Sequence, residues 1–134
     1  MKNYHSAIII CISIITTVLL IIFVLSEYDI QYSIKLTSNY IPEGSNLTVN
    51  YKITNGIISG DKNNVTFLCW IENNTHKRIG YIYRVYLGTV KNGDELNRHL
   101  MVPTNFLEVD TYDVYTQMIY GDNLKTMKAP LHIY

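Results

Sequence analysis

Residues Leu47–Thr54 read LTVNYKIT, and this stretch decides the fold. Leu47, Val49, Tyr51 and Ile53 alternate with polar residues, so one face of the segment is apolar and the other is hydrophilic. A period of two places successive side chains on opposite faces of a strand, which is typical of an antiparallel sheet with one buried face. The stretch therefore predicts a half-buried β-strand.

Strand-like segments recur along the chain after residue 26. Six of them accompany the first, at residues 32–37, 65–71, 79–87, 96–102, 112–120 and 127–134. The segment VTFLCWI is apolar on both faces, as in a central strand, and Pro130 predicts an edge strand or a bulge. Turn residues such as Asn55-Gly56 and Asn92-Gly93 separate the segments and predict reversals with positive φ. About seven short strands with this spacing predict an all-β, antiparallel β-sandwich.

A different pattern precedes the strands. Residues Ala7–Leu25 read AIIICISIITTVLLIIFVL, with no charge, proline or glycine. As a helix this run is about 28 Å long, close to the roughly 30 Å of a bilayer core. A cleaved signal peptide is the competing interpretation, but its apolar core is usually about 7–15 residues and ends at small residues. The run here is longer and is followed by Ser-Glu-Tyr-Asp, which favours a retained transmembrane anchor.

The flanking charges predict the orientation of this anchor. Lys2 precedes the run, whereas Glu27 and Asp29 follow it. The positive-inside tendency then places the N-terminus in the cytoplasm. The predicted organisation is a cytoplasmic stub at residues 1–6, a transmembrane signal-anchor at 7–25 and an extracytoplasmic β-sandwich domain at 26–134.

The charge balance argues against a nucleic-acid-binding protein, and the cysteine content argues against a disulfide scaffold. The chain has 11 basic and 11 acidic residues, and a neutral domain lacks the basic footprint of a nucleic-acid-binding protein. Cys11 lies in the apolar run and Cys69 in a strand segment, so no disulfide scaffold is expected. Cys69 has apolar neighbours and is expected to be a small buried residue.

Two segments resemble a known group of domains. Glu43–Gly56, EGSNLTVNYKITNG, resembles the second-strand signature of CARDB-like, immunoglobulin-like adhesion domains of prokaryotic surface proteins. Asp110–Tyr115, DTYDVY, resembles their late strand, with Tyr112 in the place of the tyrosine corner. Trp70 matches the strand-C tryptophan of antibody-type domains, but Val114 stands where those domains have a cysteine. The resemblance implies an immunoglobulin-like sandwich with a structural or adhesive role and no reaction.

Three sequons follow the anchor. They begin at Asn46, Asn64 and Asn73, in predicted turns or at the starts of strands, where a glycan has room. These asparagines are candidate N-glycosylation sites if the domain is extracytoplasmic. Solvated turns account for them equally well.

Tyrosine is abundant, with 12 residues. Tyr81, Tyr83 and Tyr86 share one long predicted strand with Arg84. Tyrosine and arginine are enriched where proteins bind one another, because they supply contact area together with a polar tip. These four residues are the candidate binding face, although ordinary sheet packing also explains them.

The sequence gives little support for catalysis or metal binding. The four histidines, His5, His76, His99 and His132, lack metal-ligand spacing, and Cys69 has no evident base. A calcium site near Glu108, Asp110 and Asp113 is conceivable from their oxygen ligands alone. We therefore predict no catalytic residue, no metal and no cofactor.

Together these patterns predict a single-pass membrane protein whose outer domain is a structural or interaction module, either adhesive or an accessory subunit. A protein partner or self-assembly is expected, and no nucleic acid or small-molecule substrate. The alternative is a pilin-like filament subunit assembled through its N-terminal hydrophobic helix, although residues 1–8 lack the glycine of a cleaved leader. A viral or host immunoglobulin-like surface protein also fits the sequence.

Overall fold

The computed structural model describes residues 2–27 and 29–134. These residues form one helix followed by eight strands. In chain order they are α1 (Lys2–Glu27), β1 (Gln31–Leu36), β2 (Tyr40–Ile41), β3 (Leu47–Thr54), β4 (Lys62–Glu72), β5 (Arg78–Val90), β6 (Glu95–Val102), β7 (Thr111–Tyr120) and β8 (Asn123–Ile133).

The strands form two sheets. One has three strands in the order β1-β3-β6, and the other has five in the order β2-β8-β7-β4-β5. All pairings are antiparallel except that of β2 with β8. The all-β class and the sandwich architecture are therefore confirmed, with eight strands in place of about seven. The additional strand, β2, has only two residues, which is too short for a periodic pattern.

The core lies between the sheets and is built by the alternation that the sequence displays. In β3, Leu47, Val49, Tyr51 and Ile53 are buried, and the residues between them are more exposed. Strand β7 behaves in the same way from Tyr112 to Tyr120. Burying apolar surface at about 25 cal/mol per Å² is the main favourable contribution to such a fold.

A buried tyrosine joins the two sheets. Tyr32 of β1 places its hydroxyl 3.1 Å from the carbonyl oxygen of Thr116 in β7 and 3.1 Å from that of Lys125 in β8. Burial raises the pKa of the Tyr32 phenol, so the group stays neutral and can donate a hydrogen bond. Thr116 is fully buried, and its hydroxyl finds partners in this network. A polar residue is thus accommodated in the core because its hydrogen bonds are satisfied.

The tyrosine corner is present. Tyr112 is buried, and its hydroxyl donates a hydrogen bond of 2.9 Å to the backbone carbonyl of Glu108, four residues upstream. This is the geometry expected for a tyrosine at the start of a late strand of a sandwich. Trp70 differs from its antibody-type counterpart, because it lies on the outer face of the sheet and is only partly buried.

Helix α1 extends beyond both ends of the predicted anchor. Its stretch Asn3–Phe23, 21 residues, is long and apolar enough to cross a membrane, and no residue of its most apolar window is buried. Residues 2–6 of the predicted stub and 26–27 of the predicted outer domain belong to this helix. Length and composition of this kind are shared by anchors and by signal sequences. Met1 and Tyr28 lie outside the described residues.

Candidate interaction surface

The four residues of the predicted binding face lie on β5, which ends the five-stranded sheet. Tyr81 and Tyr86 are 80% and 75% exposed, and Arg84 is also exposed. Tyr83 is different: it lies opposite Cys69 and packs, partly buried, against the core. The structure therefore brings three of the four residues to the surface and places Tyr83 on the inner face.

Two bulges, near Gly80 and near Gly88, interrupt the pairing of this strand with β4, and the first of them affects the candidate residues. Cys69 faces Tyr83 and Ile71 faces Ile79, so residues 80–82 of β5 lie opposite Trp70 alone. Gly80 has φ +78°, a conformation that favours glycine, and a Cβ there would lie 3.0 Å from the exposed Phe106 ring, which would have to shift. The bulge explains why the adjacent residues Tyr81 and Ile82 are both exposed, since the simple alternation is interrupted there.

A larger surface continues from β5 across the five-stranded sheet. We call it the aromatic face, and it comprises Trp70, Tyr86, Tyr115, Ile119 and Leu124, together with Leu68, which points to the same side but is buried. Registry places these residues together: Trp70 lies opposite Tyr115, and Ile119 lies opposite Leu124. Tyr86 and Leu124 are the most exposed members, at 75% and 55%. The face is bordered by charged residues, including Arg84, which lies opposite Leu68.

A stacked pair forms the centre of the aromatic face. The rings of Trp70 and Tyr115 lie 5.7 Å apart and within 10° of parallel. The indole Nε1–H donates a hydrogen bond of 2.9 Å to Oε2 of Glu72, and Lys128 Nζ lies 5.9 Å from the centre of the Tyr115 ring. Stacking holds the two rings against each other, and the hydrogen bond to Glu72 further fixes Trp70. Preorganised aromatic residues lose little entropy on binding.

Sequence reasoning missed most of this surface. Trp70 and Tyr115 are far apart in the chain and meet only because β4 pairs with β7. The alternation within β7 gives a signal, since Tyr115, Gln117 and Ile119 fall on the face opposite to the buried Tyr112 and Val114. That pattern identifies an outer face with apolar members, but it does not identify the neighbouring strand.

Cys69 is a structural residue. It is fully buried between the sheets, and burial raises the pKa of its thiol to about 12. The histidines lie elsewhere: His76 and His99 are exposed, and the His132 ring stacks on Tyr40 at 4.7 Å.

The raised pKa of Cys69 gives a measurable pH dependence. The folded protein retains the thiol proton above the ordinary pKa of 9.0, where the unfolded chain loses it. Stability contributed by the neutral thiol is present below pH 9 and is lost toward pH 12, at up to about 1.4 kcal/mol per pH unit. We expect Cys69→Ala to reduce this slope, measured by urea unfolding at several pH values. Buried tyrosines such as Tyr32 and Tyr51 titrate in the same direction and leave a residual slope in both proteins.

A labelling experiment tests the same thiol directly. In a Cys11→Ser background, a disulfide reagent at pH 8 is expected to modify Cys69 only after the chain is unfolded, because the thiolate is the reactive form. Rapid modification of the native protein would contradict the buried position of Cys69.

The acidic residues considered for calcium do not converge. Within residues 2–27 and 29–134, no group of three or more His, Cys, Asp or Glu side chains is placed to hold a metal ion. Asp110 instead accepts a hydrogen bond of 2.7 Å from the Thr111 amide, and the Glu108 carbonyl accepts that of Tyr112.

The three sequon asparagines occupy different parts of the surface. Asn46 precedes β3 and is exposed, and Asn64 lies on β4 with φ +53° and is also exposed. Asn73 is partly buried, and its Oδ1 accepts hydrogen bonds from the Thr75 and Lys77 amides in the β4–β5 turn. Glycan attachment uses the side-chain nitrogen, which does not take part in these bonds. The three sites remain predictions.

No protein-family model matches the chain, and no curated protein matches its sequence. Solved structures do match. The C-terminal domain of Wzt has a TM-score of 0.58 at 13% identity, over 78% of this chain and 71% of that one. The CARDB domain of the PF1109 protein from Pyrococcus furiosus, solved with di-metal ions, has a TM-score of 0.57 at 7% identity. That match covers 79% of this chain and 88% of the CARDB domain chain.

The likeness is one of fold. A third neighbour, the sporulation control protein Spo0M of Bacillus subtilis, has a TM-score of 0.53 at 10% identity. The match covers 78% of this chain. It covers 49% of Spo0M, so this chain spans about half the length of that protein. The CARDB resemblance expected from the sequence is thus supported for the architecture, and at these identities it extends no further. The aligned share leaves out about a fifth of this chain.

Proposed function

We propose that the chain is a non-catalytic, single-pass membrane protein whose sandwich domain binds a protein partner through the aromatic face. The observation that carries the membrane anchoring is α1, whose stretch Asn3–Phe23 is long and apolar enough to cross a bilayer, with none of its most apolar window buried among the described residues. A soluble protein would leave this surface in water at a large cost in free energy. Inserting it into lipid removes that cost.

The orientation follows from charge and from the sequons. Lys2 lies before the apolar stretch, and Asp29 follows it. We propose that the N-terminus is cytoplasmic and the sandwich extracytoplasmic, which also exposes Asn46 and Asn64 to a glycosylating enzyme where the host has one.

The partner class follows from the chemistry of the aromatic face. It combines a stacked tryptophan–tyrosine pair, exposed Tyr86 and Leu124, and charged residues at its border. Aromatic anchors with a polar rim are typical of protein–protein interfaces. An adhesion module and an accessory subunit of a membrane complex both use such a surface.

A fractionation experiment tests the anchor. The full chain is expected to remain in the membrane pellet after alkaline carbonate extraction, and Ile15→Arg with Leu19→Arg is expected to release most of it, because each charge at the centre of a membrane helix costs about 2.5–3.5 kcal/mol. Matched substitutions on the sandwich surface, such as Met101→Arg, should leave the chain in the pellet. Release of the unaltered chain by carbonate would remove the proposal.

Intact mass and protease accessibility complete the test. A mass that includes Met1 is expected, and it would exclude both signal cleavage and the leader processing of a pilin-like subunit. Protease added outside intact cells is expected to degrade the sandwich, whereas a protected sandwich would reverse the orientation.

A pair of variants tests the aromatic face. Co-purification from gently solubilised membranes is expected to fall at least tenfold on Tyr86→Ala with Leu124→Ser, because hot-spot residues each contribute about 1–2 kcal/mol or more. Met101→Ala, 63% exposed on the other sheet, is the control and should bind normally. Equal binding by all three proteins would show that the partner uses another surface.

A further inference from the structure

One pole of the sandwich lies next to the end of α1. Strand β1 begins there at Gln31, directly after the helix and a short connection. Because the strands alternate in direction, the turns after β3, β5 and β7 all lie at this same pole, which we call the proximal pole. The turns at residues 73–77 and 103–110 lie at the opposite pole.

The connection to the helix is very short. Glu27 is the last helical residue, and Ile30 is already fully buried in the sandwich. Three residue steps span at most about 10 Å. A domain tied to a membrane helix by this connection must keep its proximal pole within about one headgroup layer of the bilayer, since that layer is roughly 5–7 Å deep on each side.

The connection is also fixed to the domain. The Asp29 carboxylate lies 3.8 Å from Lys62 Nζ and 4.0 Å from Lys125 Nζ. Lys125 donates a hydrogen bond to the Ile30 carbonyl, and the Ile30 amide donates one of 2.8 Å to Asp29 Oδ1. These contacts from β4 and β8 hold residues 29 and 30 against the sandwich.

The β3–β4 turn at this pole displays two adjacent isoleucines. Ile57 and Ile58 are 65% and 53% exposed. Apolar turn residues are unusual in a loop, where polar residues normally dominate. The pair is contiguous in sequence and lies at the pole that the tether holds near lipid.

The turn that carries the isoleucines is rigid. Asn55 is 1% exposed, and its Nδ2 donates hydrogen bonds to the carbonyls of Gly60, Val90 and Lys91 at 2.7, 3.1 and 3.1 Å. A second amide, that of Asn92, donates to the Ile57 carbonyl at 2.6 Å. The backbone is therefore held on both sides of the isoleucine pair.

Further bonds complete this network. The Asn92 side-chain oxygen accepts a hydrogen bond of 3.1 Å from the backbone N–H of Gly60. The backbone N–H of Asn92 in turn donates one of 2.7 Å to the Asp61 carboxylate. This network holds the backbone of the turn in the conformation in which both isoleucines are exposed. The exposure of Ile57 and Ile58 therefore follows from the conformation of the turn.

We infer that Ile57 and Ile58 insert into the interfacial layer of the same bilayer that holds α1, so that the domain rests on the membrane at its proximal pole. This inference rests on the proposed membrane anchoring. Moving the two apolar side chains out of water favours the inserted position. The pole carries charges of both signs, among them Lys62, Lys91, Asp29 and Asp61, so the insertion is apolar and does not require anionic lipid.

Spin labels in vesicles of phosphatidylcholine test the inference. The full chain carrying Cys11→Ser receives a nitroxide at one of three introduced cysteines, Ile58→Cys, Val109→Cys or Val18→Cys. Cys69 is buried and stays unlabelled. Accessibility of each label to oxygen, which concentrates in lipid, is compared with accessibility to a water-soluble nickel chelate.

The oxygen-to-nickel ratio at residue 58 is expected to exceed that at residue 109 at least threefold and to lie below that at residue 18. Val109 is the matched control because it is 59% exposed in a turn at the opposite pole. A ratio at residue 58 equal to that at residue 109, with residue 18 lipid-like, would overturn the insertion and leave the anchor intact. A water-like ratio at residue 18 would instead overturn the proposed anchoring. If Ile58→Cys loses the native Trp70 fluorescence, Ile57→Cys takes its place.

Discussion

Replacement of Phe67 by alanine is expected to lower the free energy of unfolding by about 3–5 kcal/mol. Phe67 lies in β4 and is fully buried. Its ring stacks on Tyr51 of the opposite sheet, with centroids 4.0 Å apart and an angle of 11°, and meets Tyr32 edge-on at 6.1 Å. Aromatic pairs contribute about 0.5–1.5 kcal/mol beyond the area they bury.

The size of the effect follows from where the ring lies. Phe67 contacts aromatic residues from both β1 and β3, so its removal opens a cavity between the two sheets. Large side chains on opposite sheets cannot close such a gap without moving the strands themselves. The loss in free energy of unfolding should therefore exceed that of an alanine substitution at a residue that contacts only its own sheet.

Unfolding in urea, followed by tryptophan fluorescence of the chain in micelles, measures this change. The chain has one tryptophan, Trp70, which lies in the same strand as Phe67, so the signal reports on the sandwich and not on α1. Phe67→Leu keeps most of the volume and is expected to cost about 1.5 kcal/mol or less. Tyr86→Ala, on an exposed side chain, should fall within about 0.5 kcal/mol of the parent. A cost below about 1 kcal/mol for Phe67→Ala would contradict the assigned core.

Much of the fold was predictable because alternation is a local property. For β3, the predicted and observed bounds agree at Leu47–Thr54, since polar and apolar residues alternate without interruption. Strand β6 ends before Pro103, as expected for a residue that cannot donate to a ladder. Pro130 of β8 lies where the short β2 does not reach, so most of that edge is open.

The arrangement of strands into sheets depends on contacts distant in sequence, and alternation carries no information about them. The segment 79–87 is as apolar as a central strand, yet β5 lies at the end of its sheet. Its bulges at Gly80 and Gly88 are visible as glycines in the sequence, but the register shifts that they produce require the partner strand. The sequence groups Tyr83 with Tyr81, Arg84 and Tyr86 on the candidate binding face, whereas the register opposite Cys69 places it inside.

The candidate surface was predictable only in part. Tyr81, Arg84 and Tyr86 are exposed, and their role in binding stays a prediction. The centre of the aromatic face, Trp70 with Tyr115, requires the pairing of β4 with β7. A sequence pattern can identify each outward residue separately, whereas a binding surface consists of neighbours that only the fold defines.

Turn chemistry shows a related limit, and Asn55 is the clearest case. The Asn55-Gly56 pair was expected to form a reversal with positive φ, but Gly56 does not adopt positive φ, whereas Gly60, Gly93 and Gly121 do. The asparagine is instead a buried hub whose amide binds three carbonyl oxygens of two turns. Its importance lies in its side chain, which joins the β3–β4 turn to the β5–β6 turn.

Removal of that side chain is expected to be nearly as costly as loss of a core residue. In Asn55→Ala the carbonyl of Val90 loses its buried donor, and those of Gly60 and Lys91 lose theirs near the surface. We expect a loss of about 2–4 kcal/mol in the free energy of unfolding, since each unsatisfied buried acceptor costs about 1–3 kcal/mol and water reaches part of the site. The measurement is urea unfolding followed by Trp70 fluorescence.

Substitution by aspartate separates hydrogen bonding from shape. Asn55→Asp keeps the volume but presents a carboxylate to carbonyl oxygens, so at pH 7 it should be at least as unstable as Asn55→Ala. Protonation restores a donor; the folded-state pKa of that carboxyl is therefore raised, and its destabilisation should diminish as the pH falls toward 5. Asn97→Asp, on an exposed position of β6, should be close to neutral throughout. If Asn55→Asp were as stable as the parent at pH 7, the amide would not be the donor that joins the two turns, and the rigid display of Ile57 and Ile58 would lose its physical basis.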